Sequence, residues 1–159
     1  MSKPLVYIAG PIQAIGKFPA MVRNAKLAYE LSRLGIASFD PAAAFKVPED
    51  GTASAVEEVN KAAIRRCDVF VAFWQGVQSP GTDREVTMAL EGNLPIIVIQ
   101  LPPGREGLWE SEWDHTIAAE WLEGRFPNPT DWLVLREVVG DIRSAAVAAS
   151  KIIEEGEVG

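Results

Sequence analysis

The chain has one cysteine, one histidine and no run of lysine or arginine residues, and each shortage excludes a class of site. A single cysteine, Cys67, cannot form an intrachain disulfide, so a cytoplasmic location is the default expectation. His115 is the lone histidine, and no Ser/His/Asp set accompanies it. We therefore expect neither a histidine-based triad nor a metal site.

The charge balance and the short apolar runs exclude two further kinds of partner. The formal net charge of the 159 residues is −7. Binding a nucleic acid polymer or an anionic membrane needs a basic patch, which the sequence does not offer. No stretch approaches the ~20 apolar residues of a membrane span, and the one at residues 5–9 is too short for a signal peptide. A small anionic ligand remains compatible with this charge, because backbone N–H groups can bind it locally.

Apolar residues are plentiful and alternate between strand-like and helix-like patterns. Their share of 48% is enough for the core of one domain spanning residues 1–159. The patterns predict strands at 5–9, 36–39, 69–73, 95–99 and 132–135, and helices at 19–34, 53–66, 81–91 and 137–155. The inner face of the last helix is predicted at Val138, Ile142, Ala145, Ala149 and Ile152. Residues 42–52 are expected to form a loop, and the tail from about Glu154 is expected to fray.

This alternation is typical of an α/β protein in which one parallel sheet is covered by helices on both faces. We predict a three-layer, flavodoxin- or Rossmann-like fold with five strands in the order 2-1-3-4-5. In such a sheet the ligand binds beyond the carboxyl ends of the strands, at the switch point between strands 1 and 3. The loops that follow these two strands, near Gly10 and near Ser79, are therefore the first candidates for a site.

The segment Ser79-Pro80-Gly81-Thr82 lies between a predicted strand and a predicted helix, an arrangement that binds anions at a helix N-terminus. Glu85 follows about one turn later, where its carboxylate can face the same pocket as a nucleophile or as an electrostatic partner of a cationic sugar. Both signals have ordinary alternatives. Ser79 and Pro80 form a common helix cap, and Glu85 can simply interact with the helix dipole.

The first predicted strand ends in residues that could line the same pocket. Gly10 lets a ligand approach the backbone closely, and Pro11, Ile12 and Gln13 follow it in the loop. Tyr7 lies on the strand itself. The alternatives are that Tyr7 is a core aromatic residue and that Gly10 and Pro11 form a plain turn.

Two polar residues near the third strand receive different interpretations. Asp68 opens this strand at its amino end, the wrong end for a ligand site, so we interpret it as structural. Asn60 lies on the preceding predicted helix and is a candidate to face the pocket.

A tryptophan-rich stretch lies outside these motifs. Trp109, Trp113, Ile117 and Trp121 recur every fourth residue and so share one helical face, with acidic surroundings. An apolar face with an acidic rim fits a contact between subunits or a lid over the pocket, and core packing is the alternative.

Together these elements resemble the nucleoside 2-deoxyribosyltransferase superfamily. The similarity covers roughly residues 4–100. The matching segments are Tyr7-Ile8-Ala9-Gly10-Pro11-Ile12, Cys67-Asp68-Val69-Phe70-Val71-Ala72-Phe73, Ser79-Pro80-Gly81-Thr82 with Glu85, and Pro95-Ile96-Ile97-Val98. Within the superfamily, Ser-Pro-Gly-Thr followed by the glutamate most resembles the nucleoside 5′-monophosphate N-glycosidases, including the cytidylate hydrolases.

The resemblance implies a small-molecule nucleotide as substrate, no cofactor, and a homodimer or higher homo-oligomer. Glu85 matches the nucleophilic glutamate that attacks C1′ of the sugar, and Tyr7 matches an aromatic residue near it. Ser79 matches a serine that helps to hold the 5′-phosphate and is aspartate in transferases of free nucleosides. Gly10 and Pro11 match the first ligand loop.

Asn60 departs from the family pattern, because relatives carry at this position an aspartate that serves as general acid for the leaving base. An amide neither gives up nor takes a proton at neutral pH. Either Glu57, Glu58 or another group substitutes for it, or catalysis is impaired, or the protein only binds its nucleotide.

We therefore predict an enzyme that cleaves the N-glycosidic bond of a nucleoside or deoxynucleoside 5′-monophosphate, by hydrolysis or by transfer. The alternatives are a catalytically silent nucleotide-binding or sensing module and an interaction protein that uses the tryptophan face. The phosphoribohydrolases that release cytokinin bases also share Gly-Thr-x-x-Glu, but the double glycine of their motif is missing here.

Overall fold

The computed structural model describes residues 4–12, 14–44, 53–76, 79–101, 121–124 and 134–158. The elements, in chain order, are β1 (Leu5–Ala9), α1 (Lys17–Arg33), β2 (Ala37–Phe39), α2 (Pro41–Ala44), α3 (Ala53–Arg66), β3 (Val69–Trp74), α4 (Pro80–Glu91), β4 (Ile96–Gln100), β5 (Leu135–Val139) and α5 (Ile142–Val158). A further helical turn covers residues 121–124. Among these described helices, none is both long enough and apolar enough to cross a membrane.

The five strands form one parallel sheet in the order β2-β1-β3-β4-β5, which confirms the predicted fold class. Strands β3 and β4 are buried along their whole length. Because helices cover both faces of the sheet, these central strands have no solvent side, and their sequences are continuous apolar runs rather than alternating patterns.

The side chains of the sheet divide between two cores. Val6 and Ile8 pack with residues of α1 and α5 on one face, whereas Tyr7 and Phe70 pack with residues of α3 and α4 on the other. Successive strand residues point to opposite faces, so the sequence of β1 alone feeds both cores. The fold thus has the three predicted layers.

The C-terminal part corrects the prediction. The last strand is Leu135–Val139, not residues 132–135, and Glu137, predicted to open the last helix, pairs instead with Ile97 of β4. Val138, predicted on the inner face of that helix, is an exposed strand residue. The reason is that β5 is an edge strand with mostly exposed side chains, so its sequence lacks the apolar run that marks the central strands.

The last helix begins where an aspartate caps it. The backbone N–H of Ser144 donates to Asp141 Oδ1 at 2.7 Å, and the Ser144 hydroxyl donates to Oδ2 at 2.8 Å. This capping arrangement starts α5 at Ile142. The helix then extends to Val158, past its predicted end at Glu155 and through most of the tail that we expected to fray.

Other differences are small. Part of the loop predicted at 42–52 is a short helix, Pro41–Ala44, and residues 45–52 lie outside the described ranges. Asp68 is structural, as interpreted from its position. Its Oδ2 accepts a hydrogen bond from the backbone N–H of Leu5 at 2.8 Å and ties together the amino ends of β1 and β3.

Candidate functional site

A cavity of about 800 Å³ opens beyond the carboxyl ends of β1 and β3, at the switch point that the fold reserves for a ligand. Five elements contribute to it: the loop after β1, the first residue of α1, the start of α2, one face of α3 and the first turns of α4. The lining residues are Gly10, Ile12, Ala14, Lys17, Pro41, Ala42, Val56, Glu57, Asn60, Ser79, Pro80, Gly81, Thr82, Arg84, Glu85 and Met88.

The start of α4 faces this cavity and is capped by Ser79. The backbone N–H of Thr82 donates to Ser79 Oγ at 3.3 Å, and the two hydroxyls lie 2.8 Å apart. Pro80 occupies the first turn, where its missing N–H costs no helical hydrogen bond. The capping interpretation of this motif is therefore correct. It coexists with the predicted ligand role, because Ser79, Gly81 and Thr82 also line the cavity at the positive end of the helix dipole.

Glu85 lies on the cavity side of α4 with an oxygen that the protein leaves unpaired. Its Oε2 is buried and has no hydrogen-bond partner among the described residues. Burial raises the pKa of Glu85 to about 7, although the Tyr7 hydroxyl and the Arg84 guanidinium both act to lower it. Strongly raised pKa values of this kind are common at functional sites, which keeps Glu85 a candidate.

Tyr7 is both a core residue and a neighbour of Glu85. Its ring is fully buried and stacks between those of Phe39 and Phe70, with centroid distances of 5.5 and 5.3 Å. Its hydroxyl is also buried without a partner among the described residues. Burial, reinforced by the Glu85 carboxylate, raises the pKa of Tyr7 well above its ordinary value. Tyr7 therefore keeps its proton and can donate a hydrogen bond.

Asn60, like Glu85, brings an unpaired polar atom to the cavity. The side chain is buried, it lines the cavity, and its Oδ1 has no partner among the described residues. Buried polar groups are normally satisfied, so each exception needs an explanation. Asn60 and Glu85 both line the cavity, so their unpaired oxygens are available to a group that enters it.

Arg23, which the sequence patterns above did not single out, holds the loop after β1 in place. Arg23 is buried, and its Nη1 donates to the carbonyl oxygen of Pro11 and to Gln75 Oε1, both at 2.8 Å. The guanidinium also stacks on the ring of Phe73, 4.5 Å from the centroid. Arg23 thus joins the ends of β1 and β3 beneath the cavity. Of the predicted loop residues, Gly10 and Ile12 line the cavity, Pro11 is buried against Arg23, and Gln13 lies outside the described residues.

A polar chain extends from this arginine to the end of β2. Arg23 Nε donates to Asn24 Oδ1, and Asn24 Nδ2 donates to Asp40 Oδ1, each at 2.8 Å. Burial lowers the pKa of Arg23 to about 10, and the Asp40 carboxylate acts in the opposite direction. One sequence signal could have revealed the network. Arg23 occupies the buried stripe of α1 that continues with Leu27 and Leu31, where a charged residue needs partners.

Substituting alanine for Gly10 is expected to destabilise the protein. A Cβ there would lie 2.8 Å from Arg23 Nη2 and 3.0 Å from Phe73 Cβ. Arg23 cannot move away without losing its hydrogen bonds, so we expect a loss of about 1–3 kcal/mol in the free energy of unfolding, measured by chemical denaturation. The matched control is Gly140→Ala, because nothing lies within 4 Å of a Cβ at that exposed glycine. Equal stabilities of the two variants would contradict this packing.

The cavity lining carries charges of both signs. Lys17 and Arg84 line it and are exposed, and the carboxyl groups of Glu57 and Glu85 line it as well. Among the described residues, no group of three or more His, Cys, Asp and Glu side chains is placed to hold a metal ion.

Trp121 packs beside the site. Its ring stacks on Trp74 at the end of β3, with centroids 4.9 Å apart, and its Nε1 donates to Asp83 Oδ1 at 3.0 Å. For this residue the core-packing alternative is correct. Trp109, Trp113 and Ile117, with which it was predicted to share a helical face, lie outside the described residues, as does His115.

No protein-family model and no curated protein sequence matches the chain. Solved structures are similar to it over most of their length. CMP N-glycosidase BcmB of Clostridium botulinum has 18% sequence identity and a TM-score of 0.53, covering 94% of this chain and 98% of that one. A 2-deoxyribosyltransferase of Bacillus psychrosaccharolyticus has 15% identity and a TM-score of 0.57, covering 89% and 90%. The molybdenum cofactor carrier protein of Chlamydomonas reinhardtii has 14% identity and a TM-score of 0.54, covering 96% and 99%.

At these identities the similarity establishes a shared fold. The three proteins include two enzymes and a carrier, so the fold alone does not choose between catalysis and binding. That choice depends on the side chains of the cavity.

Proposed function

We propose that the protein cleaves the N-glycosidic bond of a nucleoside or deoxynucleoside 5′-monophosphate, with Glu85 as the nucleophile. The observation that carries the proposal is the buried, unpaired oxygen of Glu85 in the same cavity as the capped start of α4. One end of the cavity suits a phosphate, and the other holds a carboxylate with no structural partner.

The distance along α4 from the helix start to Glu85 is comparable with the length of a sugar phosphate. Four residues, about 6 Å of helical rise, separate Gly81 from Glu85. A phosphate at the helix start, held by backbone N–H groups and by the one proton that the paired hydroxyls of Ser79 and Thr82 leave free, therefore brings the attached sugar towards the carboxylate.

The chemistry follows from these positions. Ionised Glu85 attacks C1′, the bond to the base breaks, and a glycosyl-enzyme forms. Water or a second base then takes the sugar and restores the carboxylate. Tyr7 keeps its proton, so its hydroxyl can donate a hydrogen bond to the neighbouring Glu85 during the reaction.

The structural comparisons support a nucleotide as the ligand, since two of the similar structures are an N-glycosidase of CMP and a 2-deoxyribosyltransferase. A second candidate function, nucleotide binding without turnover, is favoured by Asn60, an amide where a proton donor would assist the leaving base. The carrier protein among the similar structures has the same fold.

A panel of nucleoside 5′-monophosphates separates the two candidates. Each nucleotide, in ribose and deoxyribose form, is incubated with the protein, and the free base is measured by chromatography. Free nucleosides of the same bases serve as matched controls, and melting temperatures are recorded in parallel. Base release from monophosphates supports the enzyme. A raised melting temperature without release would assign the binding function, and the absence of both would contradict the proposal.

The pH profile of base release reports the state of Glu85. Because the nucleophile must be ionised and the pKa of Glu85 lies near 7, we expect kcat/KM to fall about tenfold per pH unit below that value and to level off above it. The Tyr7 hydroxyl lowers the pKa of Glu85. A Tyr7→Phe variant, which lacks this hydroxyl, should therefore have the midpoint of its pH profile at higher pH. A flat profile between pH 5 and 9 would contradict the assignment.

A further inference from the structure

Helix α1 has apolar residues on two opposite faces. Its buried face packs towards the sheet through Ala20, Leu27 and Leu31, and an ordinary surface helix is polar on the side opposite to such a face. Here the opposite side carries exposed apolar residues with helical spacing, which we call the α1 stripe: Phe18, Val22, Ala25 and Tyr29. The largest of them are far from buried, since Phe18 is 76% exposed and Tyr29 is 61% exposed. A helix that is apolar on both sides is typical of an element that is covered on both sides.

A groove beside the α1 stripe is large enough to receive a side chain from another molecule. It has a volume of about 600 Å³ and lies between α1 and the start of α5. The lining residues are Val22, Ala25, Lys26, Tyr29, Glu30, Asp141, Ile142 and Arg143. Its two basic residues balance its two acidic ones, although the whole chain carries a formal net charge of −7. A second acidic molecule therefore meets less repulsion at this groove than the net charge of the chain suggests.

The spacing of the α1 stripe favours a second copy of this chain as the occupant. Its members lie four, three and four residues apart, so the pattern is the same when it is read from either end. Two α1 helices that pack antiparallel about a two-fold axis therefore bring Phe18 of each copy against Tyr29 of the other. Val22 and Ala25 meet in the same way next to the axis. A two-fold interface needs a surface that is complementary to itself, and the α1 stripe meets this condition.

The same arrangement brings an aromatic anchor to each groove. Tyr29 lines the groove, so Phe18 of the other copy, which lies against Tyr29, reaches its opening. Aromatic side chains that fill a pocket of the partner supply much of the binding energy of an interface. Ala25 is small, so it lets the two helix backbones approach closely near the axis.

The exposed apolar area is sufficient for a specific dimer. The exposed parts of the α1 stripe and of the neighbouring Met21 amount to roughly 500 Å² per copy, or about 1,000 Å² for a pair before any polar rim is counted. A specific interface buries at least about 1,000 Å² in total. The pair lies near this lower limit, so we expect a dimer that dissociates in the micromolar range.

We propose that the α1 stripe is the contact surface of a two-fold homodimer in which two α1 helices pack antiparallel. This surface differs from the tryptophan face that the sequence indicated as a possible subunit contact. Lys17 precedes Phe18 and lines the ligand cavity, so each end of the contact lies at the edge of a cavity. The proposal does not depend on the proposed activity.

Sedimentation equilibrium of the full chain tests the dimer and its surface. We expect twice the monomer mass at about 100 μM and dissociation on dilution. Phe18→Asp and Val22→Asp each bring unpaired charges into the apolar contact of both copies, so each should raise the dissociation constant by about 10²-fold or more. Val59→Asp is the matched control, because Val59 is an exposed valine on α3, and this variant should still form the dimer.

A crosslinking experiment tests the position of the two-fold axis. Ala25 lies next to the axis, so an Ala25→Cys variant places the new thiol close to the same thiol of the other copy. We expect a short bifunctional thiol reagent to give a covalent dimer of this variant. Val59→Cys should give none, and Cys67 is buried and present in both variants.

Each outcome decides for or against the proposed surface. A wild-type chain that remains monomeric at about 100 μM would overturn the proposal, because even a weak specific interface is occupied at that concentration. A dimer that persists in Phe18→Asp and Val22→Asp, or that is crosslinked through Val59→Cys and not through Ala25→Cys, would assign the contact to another face. Ala25→Cys is a mild substitution, so the crosslink decides the matter even if the aspartate variants fail to fold. Base release plays no part in these measurements.

Discussion

Replacing Glu85 by glutamine is expected to reduce base release by about 10³-fold or more while nucleotide affinity changes by only a few-fold. The amide keeps the shape and hydrogen-bonding capacity of the side chain but cannot attack C1′. Single-turnover chromatography measures release, and isothermal titration measures affinity. Glu91→Gln is the matched control, because Glu91 is an exposed glutamate at the end of the same helix. Undiminished release by the Glu85 variant would end the assignment.

The same variant should be more stable than the wild-type protein at alkaline pH. The pKa of Glu85 is raised on folding from 4.5 to about 7, so ionisation opposes folding. The stabilisation that belongs to the protonated form is complete below about pH 4.5 and is lost as the pH rises through 7. Glutamine does not titrate, so at pH 8 we expect Glu85→Gln to be on the order of 3 kcal/mol more stable, with no difference at pH 4. A variant that is less stable at pH 8 would instead indicate a structural carboxylate.

Replacing Ser79 by aspartate should invert the preference for phosphorylated substrates. Two like charges about 4 Å apart near a protein surface repel by roughly 4 kcal/mol, which corresponds to about 10³-fold in affinity. We therefore expect kcat/KM for the nucleoside 5′-monophosphate to fall by about 10²–10³-fold, while that for the free nucleoside is unchanged or increases.

Ser79→Asp should change the charge at the start of α4 without disrupting the helix. Aspartate caps a helix as well as serine does, so α4 should keep its start and the protein its stability. Ser79→Ala is the companion variant. It removes the hydroxyl without adding charge and should weaken binding of the monophosphate about tenfold or less. If kcat/KM of the aspartate variant fell equally for the nucleotide and the nucleoside, the phosphate would have to bind elsewhere.

The parts of the fold that local patterns determine were predictable. The continuous apolar runs of β3 and β4 reflect burial on both faces, and the predicted bounds of α3, residues 53–66, agree with the structure. The alternation of strands and helices predicted the strand order, and the strand order predicted the position of the cavity. Ser79 and Pro80 marked the start of α4 because capping is a local interaction.

The predictions that failed, or could not be made, concern features that depend on contacts between distant residues or on solvent exposure. Strand β5 lies at the edge of the sheet, so Arg136 and Glu137 interrupt its pattern. The stripe of α1 marks Arg23 as a buried charge that needs partners, but its bonds to Pro11 and Gln75 join separate segments, so the helical spacing does not identify those partners. Likewise, spacing alone could not distinguish a buried Glu85 from a solvent-exposed helix-dipole glutamate. That distinction needed the cavity and the unpaired oxygen.

The most direct test is to look for the covalent intermediate itself. The wild-type protein is mixed with a cleavable nucleotide, quenched in acid within one turnover, digested and analysed by peptide mass spectrometry. The account predicts a sugar phosphate attached through an ester to the peptide that contains Glu85, and no such mass in Glu85→Gln. Base release without any adduct on that peptide, or an adduct on another residue, would contradict it.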